Sequence, residues 1–178
     1  MFSDPEKVIT QLYVAEGMSV ADFGSGIGFY SLLLARKVGQ YGHVYSIDVM
    51  PDLLKSLKNE ANKQGYSNIE VIQGDLEAKN GSGLMPSTVD RIIVANTLFQ
   101  ADHPEHVVRE AKRILKHDGK IAVIDWEESY GQIGPHPDHV ITKEESRAHF
   151  EKAGFVLEAY IDAGSHHYGM LYSLPRHA

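Results

Sequence analysis

The stretch Val20–Gly39, VADFGSGIGFYSLLLARKVG, constrains this chain more than any other. A short apolar run ends in an acid at Asp22. Glycines follow at 24, 26 and 28, and an amphipathic segment begins at once. Glycine reaches backbone conformations closed to other residues, so this loop turns a strand abruptly into a helix and lets a ligand approach the backbone. The amides that open such a helix face an anion. A purely structural turn would need only two glycines, so the third points to a ligand.

The rest of the chain repeats the strand–helix pattern. The spacing predicts an N-terminal helix within residues 1–16, from Pro5 to Ala15, capped by Ser3 or Asp4 with Glu6 closing a capping box. Strands are expected at Ser19–Phe23, His43–Ile47, Ile69–Ile72, Val89–Ala95 and Lys120–Trp126. One helix runs from Phe29 towards Gly39 and another starts at Pro51. A third shows the face Val107, Val108, Ala111, Ile114 and Leu115 and is ended by Gly119. Thr142 and Glu145 form a second capping box, whose helix stops at Gly154. Phe155–Ile161 and Tyr168–Leu174 are separated by a short Gly/Ser/His turn and should pair antiparallel. Together these predict one α/β domain over residues 1–178, a doubly wound, mostly parallel sheet with helices on both faces. Ligands of such sheets bind beyond the carboxyl ends of the strands, where the strand order reverses.

Composition narrows the partners. The net charge is −7 and the charges are scattered, which argues against nucleic acid or an anionic membrane surface. There is no cysteine, which removes disulfides, thiolate metal sites and cysteine nucleophiles. No apolar run approaches the roughly 18 residues of a membrane span. The first residues also lack the layout of an export signal, so a cytoplasmic location is expected.

Two ligand classes compete for the glycine loop. A dinucleotide is usually cradled by G-x-G-x-x-G, whereas here the spacing is G-x-G-x-G and position 29 is Phe. Asp22 beside the loop would repel a diphosphate. A zwitterionic sulfonium such as S-adenosylmethionine carries no phosphate. Its carboxylate suits the helix amides, and Asp22 favours its cationic groups. Asp48, 20 residues past Gly28, can accept both ribose hydroxyls, or it can cap the helix at Pro51. Asp75 can accept from an adenine amino group with the Leu76 backbone facing the ring, or it can be a turn aspartate. Asn96 closes a strand under the methionine part, or serves as a turn residue. Ser25 and Val49 complete the expected cofactor set.

On VADFGSGIG, the acid of YSIDVMP, GDLEA, DRIIVANTLF and RILKHDGKIAVIDW, the chain resembles the class I S-adenosylmethionine-dependent methyltransferases from about Met18 to Phe155. The closest likeness is to the branch with quinone-biosynthesis C-methyltransferases and small-molecule methyltransferases. His117-Asp118 stands where the family's R-x-L-K-P-G-G segment has Pro-Gly. The resemblance implies the strand order 3-2-1-4-5-7-6 with the last strand antiparallel. It also implies cofactor contacts at Gly24, Gly26, Asp48, Asp75 and Asn96.

Methyl transfer needs alignment and exclusion of water, and a general base only where the acceptor must lose a proton. Residues 127–141 read as an active-site loop, hinged at Gly131 and Gly134. His136 and His139 are its candidate bases, or simply solvated loop histidines. Asp125 and Trp126 lie next to it as pocket or packing residues, and His166-His167 reads as a surface turn with too few ligands for a metal. Arsenite, which would need thiols, is excluded as acceptor. Only 21 residues precede Asp22, leaving room for one short helix and an open acceptor site, which a second copy or another subunit could complete. The expected acceptor is a small molecule. The alternative is a subunit that holds the cofactor without transferring methyl.

Overall fold

The computed structural model describes residues 4–130 and 134–175. Strands β1 (Ser19–Phe23), β2 (His43–Asp48), β3 (Ile69–Gln73), β4 (Val89–Ala95), β5 (Leu115–Trp126), β6 (Val156–Tyr160) and β7 (His167–Ser173) form one sheet in the order β3-β2-β1-β4-β5-β7-β6. Strand β7 runs antiparallel to both β5 and β6, and the other pairs are parallel. The order reverses between β1 and β4, so their carboxyl ends flank the crevice where such sheets bind ligands.

Helices α1 (Pro5–Gln11), α2 (Phe29–Val38), α3 (Pro51–Lys63), α4 (Pro104–Ile114) and α5 (Lys143–Lys152) cover the sheet. Strands β1 and β4 are buried almost throughout because both their faces are covered. On one face Val8, Leu12, Leu34 and Val38 pack with Val20 and Ile93. On the other, Val107, Ala111 and Ile114 pack with Phe23 and Ile92. There Phe150 stacks on Tyr172, with ring centroids 4.7 Å apart.

Three local expectations are corrected. Helix α1 stops at Gln11, short of Ala15, because the Leu12 carbonyl accepts from Arg91 Nε at 2.9 Å and Tyr13 turns to φ 57°. Its cap is Asp4, which accepts the Lys7 N–H. Glu6 pairs with Arg36 at 2.6 Å instead of closing a capping box, and Ser3 lies outside the described residues. Helix α4 ends at Ile114 rather than near Gly119. The amides of Ser87 and Thr88 donate to the carbonyls of Arg113 and Ile114, at 3.0 and 2.8 Å. With those carbonyls taken by the loop before β4, Leu115 opens β5 opposite Val89. Third, His167 is not a turn residue: it begins β7 and is 6% exposed.

The second capping box forms as expected. Thr142 Oγ1 accepts the Glu145 N–H, and Glu145 Oε2 accepts the Thr142 N–H at 2.9 Å. Among the described residues no helix is long and apolar enough to cross a membrane, and no cluster of three His, Asp or Glu could hold a metal ion.

Candidate active site

The crevice beyond β1 and β4 is a cleft in two halves that share Gly24, Gly26, Leu53 and Gln100. One half, about 320 Å³, is lined by Asp48, Val49 and Met50 after β2, by Gly74–Glu77 after β3, and by Thr97, Ala101 and Val107. The other, about 730 Å³, is lined by Pro5, Asp22, Ser25, Ile27, Phe29, Tyr30, Ala95 and Asn96.

The glycines divide by role. Gly24 and Gly26 line the cleft at φ 69° and 54°. A Cβ on Gly24 would meet Thr97 Oγ1 at 2.4 Å, whereas one on Gly26 would meet nothing within 4 Å. The space over Gly26 is therefore open. Gly28, expected in the cofactor site, sits outside the cleft lining as the N-cap of α2 at φ 92°, where a Cβ would lie 2.2 Å from Leu57 Cδ1. It lets α2 start close against α3. No side-chain hydrogen bond caps α2 at Gly28, and in its first turn the Ser31 N–H is turned to the Asp22 carboxylate.

Asp22 closes the floor of the larger half, 2% exposed. Its Oδ2 accepts from Ser31 Oγ at 2.6 Å. Ser46 Oγ lies 2.7 Å from Ser31 Oγ and donates to it, because the Ser31 proton is given to Asp22. Burial pushes the Asp22 carboxyl up to about 6, against the smaller opposing effect of the Ser31 hydrogen bonds. It is still ionised at neutral pH, so the cleft floor carries the negative charge that favours a cation and disfavours a diphosphate. Ser25 Oγ is buried with no hydrogen-bond partner among the described residues, a cost a ligand's carboxylate would relieve.

Asp48 braces the loop instead of capping α3. Its Oδ2 accepts the Gly26 N–H at 2.8 Å and its Oδ1 accepts the Met50 N–H at 2.9 Å. Each oxygen keeps a lone pair for a hydroxyl donor. Asp75 lines the cleft and also makes the turn expected of it, accepting the Glu77 N–H at 2.9 Å, with the buried Leu76 beside it. Asp48→Ala is expected to cost about 1.5–3 kcal/mol of S-adenosylhomocysteine affinity, as hydrogen bonds to a charged group do. Calorimetry together with a melting curve checks this. A collapse of the ligand-free melting temperature would make Asp48 a structural brace only.

Asp125 was expected beside the pocket and instead holds it together from behind. Fully buried, it accepts the Trp126, Leu98 and Phe99 N–H groups at 2.9, 3.1 and 3.3 Å. It thereby fixes the 3-10 turn Leu98–Gln100. Burial pushes its carboxyl up to about 7 despite those three donors. Trp126 packs on His167.

The candidate bases fall elsewhere. His136 accepts weakly from the Asp138 N–H, and His139 lines an adjoining cleft of about 530 Å³ that shares Gln100 and Ala101 with the two-part cleft. Neither lines the two-part cleft. Of the loop's glycines, Gly131 lies outside the described residues. Gly134 is at φ 91°, and a Cβ there would lie 2.9 Å from Trp126. The sequence reading missed Thr97, Gln100 and Leu53. Thr97 and Gln100 come one and four residues after Asn96 in NTLFQ, and their position just past a strand's carboxyl end was the available signal.

Residues 15–162 match the methyltransferase domain family. The chain belongs to the class I S-adenosylmethionine-dependent methyltransferases. The solved structure of a SAM-dependent methyltransferase from Aquifex aeolicus superposes with a TM-score of 0.87 at 33% identity, covering 96% of this chain and 89% of that one. An arsenite methyltransferase of Halobacterium salinarum is 28% identical over 71% of this chain and 31% of its own length. A protein-L-isoaspartate O-methyltransferase of Ignicoccus hospitalis is 32% identical over 72% and 58%. The methyltransferase domain described here thus spans less than two thirds of these two curated relatives. The cofactor of the family is S-adenosylmethionine. The open space over Gly26, the orphaned Ser25 hydroxyl and the ionised Asp22 are compatible with it.

Proposed function

We propose that this methyltransferase domain moves a methyl group from S-adenosylmethionine to a small, largely apolar acceptor entering the larger half of the cleft. The rim of that half carries the reading: Ile27, Phe29, Tyr30 and Pro5 surround it, and Phe29 is 72% exposed at its mouth. A large exposed aromatic beside a concave site suits an apolar or aromatic ligand.

When bound, the cofactor supplies a methyl carbon already activated by the sulfonium. The chain's own work is to bind, align and exclude water. Asp48 takes ribose hydroxyls, Asp75 and Leu76 hold the base, and Val49 packs beside it. Ser25 takes the carboxylate, and Asp22 complements the positive charge. The segment 127–141 is the cover for the reacting atoms. Tyr130 packs on His166 at its start, with ring centroids 3.9 Å apart, and Ile141 enters the core at its end. Arsenite does not suit a domain without thiolates, because soft arsenic selects soft ligands.

The test is methyl transfer from labelled S-adenosylmethionine across phenols, quinols, N-heterocycles and an isoaspartyl peptide. Product with the apolar aromatics supports the proposal, and product with the peptide alone replaces it. S-adenosylhomocysteine binding without any turnover makes the protein a cofactor-holding subunit. NAD binding without S-adenosylhomocysteine binding removes the cofactor reading altogether.

A further inference from the structure

Behind Asp22 stand two serines that line neither half of the cleft. Ser31 and Ser46 are both fully buried. Ser31 lies with Leu34, Ala35 and Val38 on the buried face of α2, and it is the polar member of that stripe. Ser46 stands on β2 directly opposite Asp22 in the parallel β1–β2 register. A buried hydroxyl is costly unless it is hydrogen-bonded, and these two find their partners in one chain. Ser31 Oγ gives its single proton to Asp22 Oδ2 at 2.6 Å, because an ionised carboxylate only accepts. Ser46 Oγ, 2.7 Å from Ser31 Oγ, then donates to it. On β4 the residue opposite Asp22 is the apolar Ile93. Of the residues lining the larger half, the titratable ones are Asp22 and Tyr30, and phenols ordinarily titrate at about 10.

We propose that Ser31, backed by Ser46, is a positioning residue that keeps the Asp22 carboxylate charged under the cationic amino-acid end of the cofactor. Burial opposes that charge most, the Ser31 hydroxyl and N–H support it, and the like charge of Asp48 at the end of β2 opposes it. A hydrogen bond to an ionised acceptor is roughly twice as strong as one between neutral groups, so the hydroxyl chain favours the carboxylate over the protonated acid. Without the Ser31 hydroxyl the carboxyl takes up its proton at a higher pH. Asp22 then offers the cofactor's ammonium and sulfonium a neutral group, and the Coulomb attraction is lost. The inference rests on the cleft being an S-adenosylmethionine site. It adds two residues that touch no ligand and act only through Asp22.

The experiment follows S-adenosylmethionine binding by calorimetry from about pH 5 to 8. The neutral control is 5′-methylthioadenosine, which has neither the sulfonium nor the amino-acid end. Wild-type affinity for S-adenosylmethionine should fall about tenfold from pH 7 to 5, the factor by which an acid near 6 loses its ionised fraction. Methylthioadenosine should stay within about twofold over the same range. In Ser31→Ala the fall should be centred about one pH unit higher, the size of one hydrogen bond to a charged group. That variant then binds about fivefold more weakly than wild type at pH 6 and within about twofold of it at pH 8. Ser46→Ala should move the profile the same way by less, and the double variant no further than Ser31→Ala. Asp22→Asn should remove the pH dependence. A pH-independent loss in Ser31→Ala, an unmoved profile, additive shifts, or a dependence that survives Asp22→Asn would each overturn the proposal. If the wild type binds no S-adenosylmethionine at any pH, the cofactor reading fails and takes this inference with it. The Asp22 carboxyl carbon resonance of the ligand-free protein reads the hydroxyl chain by itself. Its titration midpoint should lie about one pH unit higher in Ser31→Ala than in wild type, and equal midpoints would overturn the role of Ser31.

Discussion

Gly26→Ala folds but binds S-adenosylhomocysteine at least about tenfold more weakly, whereas Gly28→Ala folds poorly. The two substitutions add the same methyl group two residues apart, so the contrast isolates position. At Gly26 a Cβ meets nothing within 4 Å. The stability cost is then only that of a left-handed alanine, about 1–2 kcal/mol. The methyl group occupies cleft space and caps the approach to a loop amide held by Asp48. A loss of affinity of at least about tenfold is expected, 1.4 kcal/mol or more. At Gly28 the Cβ falls 2.2 Å from Leu57 Cδ1, and Leu57 is itself fully buried and cannot swing into solvent. Overpacking of about 1–3 kcal/mol adds to the strain of a non-glycine residue at positive φ, about 1–3 kcal/mol. Denaturant melts of both variants, with calorimetry on whatever remains folded, read the difference. Wild-type affinity in Gly26→Ala would mean that the loop does not face the ligand.

The ligand-free protein should gain stability as the pH is lowered from 8 to about 5. Asp22 and Asp125 are both buried, and burial raises their carboxyls to about 6 and about 7. An acid raised in the folded state binds its proton more tightly there than in the unfolded chain. Its stabilising contribution is fully present below the unfolded value, near 4, and is lost as the pH rises through the folded one. The window is therefore about pH 4–7, and the slope runs opposite to that of a carboxylate held by a cation. At about 1.4 kcal/mol per pH unit, rises of roughly two and three pH units are together worth on the order of 7 kcal/mol across it. Glu110, which pairs with Arg113 at 2.6 Å and sits below its ordinary value, acts in the other direction only under more acid conditions. Urea melts at pH 8, 7, 6 and 5 measure the slope. Asp125→Asn should flatten its upper part and Asp22→Asn its lower part. A protein whose stability is level or falling over that range would not carry two acids raised by burial.

Much of this was legible in the sequence because it is local. A run of apolar residues covered on both faces reads as a central strand wherever it lies, and a glycine triplet before a helical face reads as a ligand turn. Thr142 and Glu145 announce their capping box by spacing alone. The choice of a sulfonium over a dinucleotide needed only Asp22 and the spacing of the glycines. Those features depend on backbone conformation, period and charge sign, which neighbouring residues settle among themselves.

What failed was decided at a distance. Helix α1 was read too long because Arg91, far along the chain, takes the Leu12 carbonyl, and α4 because Ser87 and Thr88 take its last carbonyls. Gly28 was grouped with its sister glycines, but Leu57 of α3 makes it a packing residue. His136 and His139 suited a base by residue type, yet the fold sets them off the two-part cleft. His167, which looked like part of a surface turn, is brought to Asn96 by the antiparallel insertion of β7 beside β5. Local spacing thus determined the strands, the glycine turn and the sign of charge beside it. Only the tertiary structure decided which polar groups share the cleft, because their partners come from segments whose proximity exists only once the sheet is assembled.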